Sequence, residues 1–423
     1  MKNLSVKCLI VIFLIFSLSC APQSKKDKTK KIEIMVWGSY KELEIINDTI
    51  KIFQKNHPDV KVVISHAPQG GRYIEKILTR AASGTLPDIL FCEVNFIDKF
   101  IEKDLLLDLS PFLQKDKQLS EKDFFPQIIK RFKRKNKLFA LPRDIAPFAC
   151  IYYNKSLFDK EGVPYPDDSW DLKKFLHIAR RLTKPEKSQY GFYTWIWQNF
   201  IYAFGGRIVD DLKNPKKCLL NQKQAIEGMK FYHDLIYKYK VMPPPGATEI
   251  GFNEMFMTGR IAMYGSGIWE TPIFREIKDF KWDVVMFPKG PGGRGFATGG
   301  SGYAIAKTSK HPQLAFELLK LLAGEYGEKR LAQTGLAQPA LIKLAYGKFW
   351  ALDTSSPPAN KKMLNRAVKY IIFNPFIPEW GEIEQTIITP RVDLIVRNKI
   401  DVEKAMNEMT KEINKILQNR ETL

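Results

Sequence analysis

The sequence predicts an α/β protein of two lobes, with a ligand cleft between them and a hinge that lets them move. Three observations carry this. Apolar runs that read as strands alternate with segments whose apolar residues recur every three to four positions, a pattern that builds a mainly parallel sheet covered by helices. Residues 139–170 (FALPRDIAPFACIYYNKSLFDKEGVPYPDDSW) change character three times, as a chain does when it leaves one lobe and enters another. A length of 423 residues, 45% of them hydrophobic, suffices for two medium cores.

The first lobe begins with Ile32-Glu33-Ile34-Met35-Val36-Trp37, a strand closed by Gly38-Ser39. Residues 41–56 place Leu43, Ile46, Ile50 and Phe53 on one helical face, and His57-Pro58 stops them. Val60-Lys61-Val62-Val63-Ile64 is the next strand, residues 73–82 the next helix, and Pro87-Asp88-Ile89-Leu90-Phe91 a third strand buried on both faces. Ligands in such sheets sit beyond the carboxyl ends of the strands, here Trp37-Gly38-Ser39 and Cys92-Glu93-Val94-Asn95. In the crossing, Ala140-Leu141-Pro142 ends one run, Arg143-Asp144 follows, and Pro147 to Tyr153 is a second β-rich run. Pro164 and Pro166 then fix extended chain before Ser169-Trp170 seeds a helix.

The second lobe continues with a helix over 172–182, an aromatic stretch over 190–200 (YGFYTWIWQNF), a long helix over 221–239 and a strand over 259–264 entering Gly265-Ser266-Gly267-Ile268-Trp269. A strand over 282–287 is expected to lead back to the first lobe, with Gly299-Gly300-Ser301-Gly302 opening a strand over 303–307. Helices over 312–322, 324–334 and 402–417 complete the chain. The expected division is 32–145 with 287–333 for lobe one, and 146–286 with 334–423 for lobe two.

The N-terminus is a secretion signal over residues 1–19: Lys2 and Lys7 precede an apolar core too short for a permanent membrane span. Phe16-Ser17-Leu18-Ser19-Cys20 resembles a bacterial lipobox, with Ser17 standing where leucine is usual, which implies lipidation at Cys20. Residues 20–31 read as a lipid anchor and polar tether. The protein is therefore expected to be exported and membrane-anchored, facing the periplasm or the cell exterior. Cys92, Cys150 and Cys218 remain, an odd number without metal-ligand spacing, so neither a disulfide framework nor a zinc site is expected. The net charge of +20 is spread along the chain and densest at Lys130-Arg131-Phe132-Lys133-Arg134-Lys135, which reads as a solvated face. No nucleic-acid-binding module accompanies it.

No GxSxG, HExxH or GxxxxGK[ST] pattern is present, so esterase, zincin and nucleotide-loop chemistry find no support and no cofactor is expected. Asp88, Glu93, Asp144 and Glu270 are the carboxylates a glycosidase would draw on. The positive signal is aromatic. Trp37, Trp195, Trp197, Trp269 and Trp380 fall at strand ends or beside glycine and proline breaks, where a ring can meet the C–H face of a sugar. Glu93, Asn95, Asp144 and Ser301 can bond hydroxyls, and the backbone N–H groups around Gly300 and Ser301 can meet a ligand oxygen.

Several segments in order are similar to one family: Ala140-Leu141-Pro142, Tyr153-Asn154-Lys155, Leu157-Phe158, Gly162-Val163 and Ser169-Trp170, then Phe256-Met257-Thr258-Gly259-Arg260-Ile261-Ala262-Met263, Gly267-Ile268-Trp269, Phe287-Pro288-Lys289-Gly290-Pro291 and Gly299-Gly300. They resemble the extracellular solute-binding proteins of bacterial ABC sugar importers, the maltose-binding-protein-like family, across residues 32–417. The resemblance implies a periplasmic-binding-protein-like fold, a monomer, a small-molecule carbohydrate ligand captured by hinge closure, and delivery to ABC permease subunits in the membrane. It makes Trp269 the leading stacking residue, followed by Trp37, Trp195 and Trp380. The alternatives are an exported carbohydrate-active enzyme, or a receptor of the same fold for a non-sugar solute such as glycerol phosphate.

Overall fold

The structure, a computed structural model, describes residues 29–420; the secretion signal and Cys20 lie outside the described residues. The chain opens with β1 (Lys30–Val36), α1 (Tyr40–Asn56), β2 (Val60–His66), α2 (Gly71–Ala82) and β3 (Ile89–Glu93). Both β2 and β3 run parallel to β1, as strands joined by helices must. Helix α1 starts at Ser39 because the cap is reciprocal: the Ser39 hydroxyl accepts from the Glu42 amide, and the Glu42 carboxylate accepts from the Ser39 amide at 2.8 Å. Tyr73 of α2 reaches between the strands and donates toward the carbonyls of Met35 and Phe91, each at 2.9 Å.

A short hairpin, β4 (Lys133–Arg134) and β5 (Lys137–Leu138), precedes β6 (Leu141–Pro147). The basic run ahead of it is only partly solvated. Arg131 is 1% exposed and donates to Asp98 at 2.6 Å, while Phe132 lies in the core. Asp98 on a neighbouring helix holds Arg131 and Arg134 together, so part of what reads as a charged face is an interior ion pair.

The second sheet contains β7 (Cys150–Asn154), β8 (Tyr193–Thr194), β9 (Met263–Ser266) and β10 (Trp282–Met286), in the order β10-β7-β9-β8. Here the sequence expectation needs correction. β10 does not lead back to the first lobe; it pairs antiparallel with β7, and its Trp282, Val284 and Val285 lie in the second lobe's core. The return is made inside one long strand, β11 (Phe296–Ile305), which is fully buried. Its start pairs with β12 (Ile371–Ile372), and its remainder lies between β3 and β6 in the first sheet. Glycines 299, 300 and 302 thus lie within the strand rather than ahead of it.

Two cores result. Ile145, Tyr303–Ile305 and Ala340–Ala345 belong to the first, whereas Ala149, Phe287, Phe296 and Trp350 belong to the second. The chain therefore passes between the cores near 146–148, 298–302 and 346–349, and Val368 and Phe373 touch the first core again before Ile377 and Trp380 rejoin the second. Asn199 ties the first two passages together: its amide donates to the Phe148 carbonyl at 2.7 Å and its oxygen accepts from the Ala297 amide at 2.9 Å. Cys92, Cys150 and Cys218 are free and buried. No helix among the described residues is long and apolar enough to cross a membrane.

Candidate functional site

The carboxyl ends of β1 and β3 and the middle of β11 meet at one edge of the first lobe, and they bring a chain of charged groups with them. Arg143 on β6 donates from Nε to Asp144 at 2.8 Å and from Nη1 to Glu42 at 3.1 Å. Asp144 accepts from the Ser301 amide at 3.0 Å and from the Ser301 hydroxyl. The Arg143 guanidinium also lies 4.8 Å from the centre of the Phe91 ring. Burial works against the Arg143 charge, but Asp144 and Glu42 overcome it and hold the guanidinium more firmly protonated than usual.

Glu93, at the end of β3, is the surplus acid of this group. Burial first, and then the nearby Asp144 carboxylate, push its pKa up to about 8; Arg143 opposes the rise and Glu42 adds to it. One guanidinium shared by two carboxylates leaves little for a third, so Glu93 holds its proton at neutral pH. Glu328, wholly buried behind the same group, is raised as well, chiefly by burial.

The second lobe faces this edge with aromatic rings. Trp269 packs edge-to-face on Phe148 at 5.3 Å between centroids, Trp195 does the same at 5.4 Å, and the two indoles are 6.4 Å apart. Trp195 is 40% exposed. Trp269 also packs on Ile45 of α1 and on Leu331, Leu336 and Ala337, so it touches the first lobe from the second. Gly267 makes this placement possible: a Cβ there would lie 1.8 Å from the Trp269 ring, so the indole rests against bare backbone. Glu270 follows directly. It accepts from the Ser266 hydroxyl at 3.2 Å and from the Tyr264 hydroxyl, and burial raises its pKa.

The residues singled out in the sequence divide into three groups. Trp37, Glu93, Trp195 and Trp269 have partly open side chains at the facing edges of the lobes. Trp37 packs edge-to-face on Phe91 at 5.2 Å, and its indole nitrogen has no hydrogen-bond acceptor among the described residues. Asp144, Gly300 and Ser301 come together one layer deeper. Asp144 and Ser301 are 4% exposed and satisfy one another, and the Gly300 carbonyl accepts from the Val94 amide at 3.0 Å. They shape the floor rather than present free groups. Asn95 accepts from Asn374 at 3.3 Å, which ties the end of β3 to the segment after β12.

Trp380 and Trp197 are placed otherwise. Trp380 is 2% exposed and Trp197 7%, both in the second core, because each opens a short helix whose inner face packs inward. In this conformation neither offers a ring face to a ligand. Sequence reasoning missed Glu42 and Phe148 as parts of the site and weighed Glu270 only as a catalytic acid. Phe148 lies in the crossing stretch and Glu270 beside Trp269, so adjacency was an available signal; the reach of Glu42 to Arg143, 101 residues away, was not. Among the described residues no cluster of side chains suits a metal ion.

Comparison with known proteins follows the same outline. The family model described as bacterial extracellular solute-binding protein matches residues 38–329. A galactooligosaccharide-binding protein of Bacillus subtilis (strain 168) is 26% identical, over 96% of this chain and 95% of that protein. A maltodextrin-binding protein of the same organism is 24% identical, over 74% and 75%. Among solved structures, an ABC substrate-binding protein from Listeria monocytogenes in complex with cycloalternan superposes with a TM-score of 0.84 at 23% identity, over 92% of this chain and 99% of that one. Maltose-bound MalE3 of T. maritima superposes with a TM-score of 0.79 at 22% identity, over 91% and 99%. These neighbours share the two-lobe fold. With a match that runs from the end of β1 through both lobes, the chain belongs to the bacterial extracellular solute-binding protein family.

Proposed function

We propose that this protein captures a sugar or oligosaccharide between its lobes and hands it to the membrane subunits of an ABC importer. The observation that carries the reading is the Phe148–Trp195–Trp269 cluster on the second lobe, set against the Trp37 and Glu93 edge of the first. Rings supply the flat apolar surface that a pyranose C–H face needs, and the carboxyl groups supply partners for its hydroxyls. The oligosaccharides in the names of the relatives support the same class. The ligand would favour closure because only the closed form lets one molecule touch both lobes; hinge closure of periplasmic binding proteins is the standard instance of this motion. The protein performs no chemistry on the sugar, works as a monomer and needs no cofactor. A lipid on Cys20 holds it at the membrane, and residues 21–31 act as a tether.

The test is a thermal-shift screen of the mature chain against mono- and oligosaccharides and glycerol phosphate, with the sugar recovered and analysed afterwards. A ligand bound only by the native state raises the melting temperature. A selective rise that Trp269→Ala abolishes, with the sugar intact, supports the reading. Consumption of the sugar would make the protein an enzyme, and a rise with glycerol phosphate alone would change the solute.

A further inference from the structure

Glu270 of the second lobe makes no salt bridge among the described residues, and it directly follows the cleft indole Trp269. Ile268–Glu270 form a single turn of 3₁₀ helix after Gly267. Three residues complete such a turn, so their side chains point about 120° apart. Ile268 takes the inward direction and is 2% exposed. The two outward directions fall to Trp269 and Glu270, both partly open. A ring stacked on the Trp269 indole therefore turns its edge, not its face, toward Glu270. The carboxyl there is loosely held. Its hydroxyl donors, Ser266 at 3.2 Å and Tyr264 at 3.5 Å, share the single oxygen Oε1, and both contacts are longer than the roughly 2.7 Å of a strong hydroxyl bond. The donors themselves are fixed. Ser266 is buried in β9, and Tyr264 lies opposite Tyr193 in the register of β8 and β9. The Tyr193 ring is stacked between Tyr264 at 5.9 Å and Phe252 at 3.7 Å. Burial raises the Glu270 pKa, while Ser266, Tyr264 and Trp269, all neutral groups of the same lobe, pull it down. Both hydroxyls spend their one proton on Oε1, so what remains at this spot is acceptor capacity on the carboxyl and on the two hydroxyl oxygens.

We propose that Glu270 is a specificity-determining residue of the cleft, accepting hydrogen bonds from hydroxyl groups on the edge of the sugar ring that stacks on Trp269. This rests on the sugar-capture reading and deepens it. The indole covers the apolar C–H face of the ring, which sugars of different stereochemistry share to a large extent. The edge is where epimers differ, because a hydroxyl that lies in the ring plane points at an acceptor beside the ring and one that stands across the plane does not. An acceptor built to take a hydroxyl rejects the analogue that cannot supply it in that direction, since the buried group is then left without its partner. Trp269 thus contributes affinity for a pyranose as such, and Glu270 contributes the choice among pyranoses. Ser266 and Tyr264 are positioning residues that hold the carboxyl by one oxygen and leave it free to turn to the ligand.

The experiment is calorimetric titration of the mature chain with four trisaccharides: maltotriose, cellotriose, β-1,4-galactotriose and β-1,4-mannotriose. The last three share a linkage type and differ in the stereochemistry of single hydroxyl-bearing carbons. Glu270→Ala should weaken the best-bound sugar by about tenfold to a hundredfold, the loss of a hydrogen bond to a charged group. It should weaken the others less, so that the preference among epimers narrows. Glu270→Gln keeps the size of the side chain and one acceptor oxygen, and should recover part of the loss with an unchanged melting temperature in the absence of sugar. Trp269→Ala should instead lower all affinities together. Parent-like affinities in both Glu270 variants would overturn the proposal and leave sugar capture standing. So would an equal loss for every sugar accompanied by a lower melting temperature, which is the mark of a purely structural residue. A parent chain that binds none of the four, nor any sugar of the thermal-shift screen, would overturn the capture reading and this proposal with it.

Discussion

At the scale of single residues, the site is governed by how many charges share how little water. Glu93, Asp144 and Glu42 compete for Arg143, and the two that make direct hydrogen bonds win. Glu93 is left neutral, pushed up to about 8 from an ordinary value of 4.5. The sign of the consequence follows. Between these two values the folded protein keeps a proton that the unfolded chain releases, so this group's contribution to stability falls as pH rises through the window. Glu93→Gln keeps a neutral side chain at every pH. The variant should lose that fall, and its melting temperature should decline less than the parent's between pH 5 and about 8. Equal pH profiles for the two proteins would mean that Glu93 is ionised in the fold.

At the scale of elements, the floor of the site is built where β11 bends from one lobe into the other. The register between β11 and β6 shifts between Ser301 and Gly302. Gly300 has φ +150° and meets the Ile128 side chain at 2.7 Å from where a Cβ would be, so this close approach requires glycine. The bend aims the Ser301 amide and hydroxyl at Asp144. Removing that carboxylate leaves Arg143 buried with Glu42 alone. Asp144→Ala should therefore cost about 3 kcal/mol or more, as breaking a buried ion pair on one side does, measured by denaturant unfolding of the first lobe. A cost within experimental error of zero would show that the network contributes nothing to stability. The same bend explains a misreading. Glycines in a run signal a turn, and only the pairing of β11 with both β3 and β6 shows a continuous strand across the hinge.

At the scale of the whole molecule, two cores are joined by several passages of the chain, and Asn199 clips two of them together. Such a hinge lets each lobe move as a body while the passages absorb the change. A ligand that contacts both lobes must shift the population toward closure. Small-angle scattering of the mature chain with and without its sugar should show a smaller radius of gyration in the complex, and Trp269→Ala should reduce that change. An unchanged radius with saturating sugar would mean that the lobes bind without moving.

The sequence by itself determined the alternation of strands and helices in the first lobe and the crossing within residues 139–170. Both depend on local periodicity or on neighbours a few residues apart. It also brought out Trp269 and Trp195, because glycine and proline breaks beside an aromatic are visible without a structure. Tertiary structure alone decided the rest. β10 reads as an apolar strand in either lobe, and only its pairing with β7 assigns it to the second. Trp380 carries the same local signal as Trp269, yet it is packed in a core while Trp269 rests on Gly267 at the cleft. The state of Glu93 depends on groups 51 residues before and after it in the chain, Glu42 and Asp144, which meet it only when the sheet forms. Burial and charge pairing are properties of the folded neighbourhood, and a linear pattern does not contain the distances that set them.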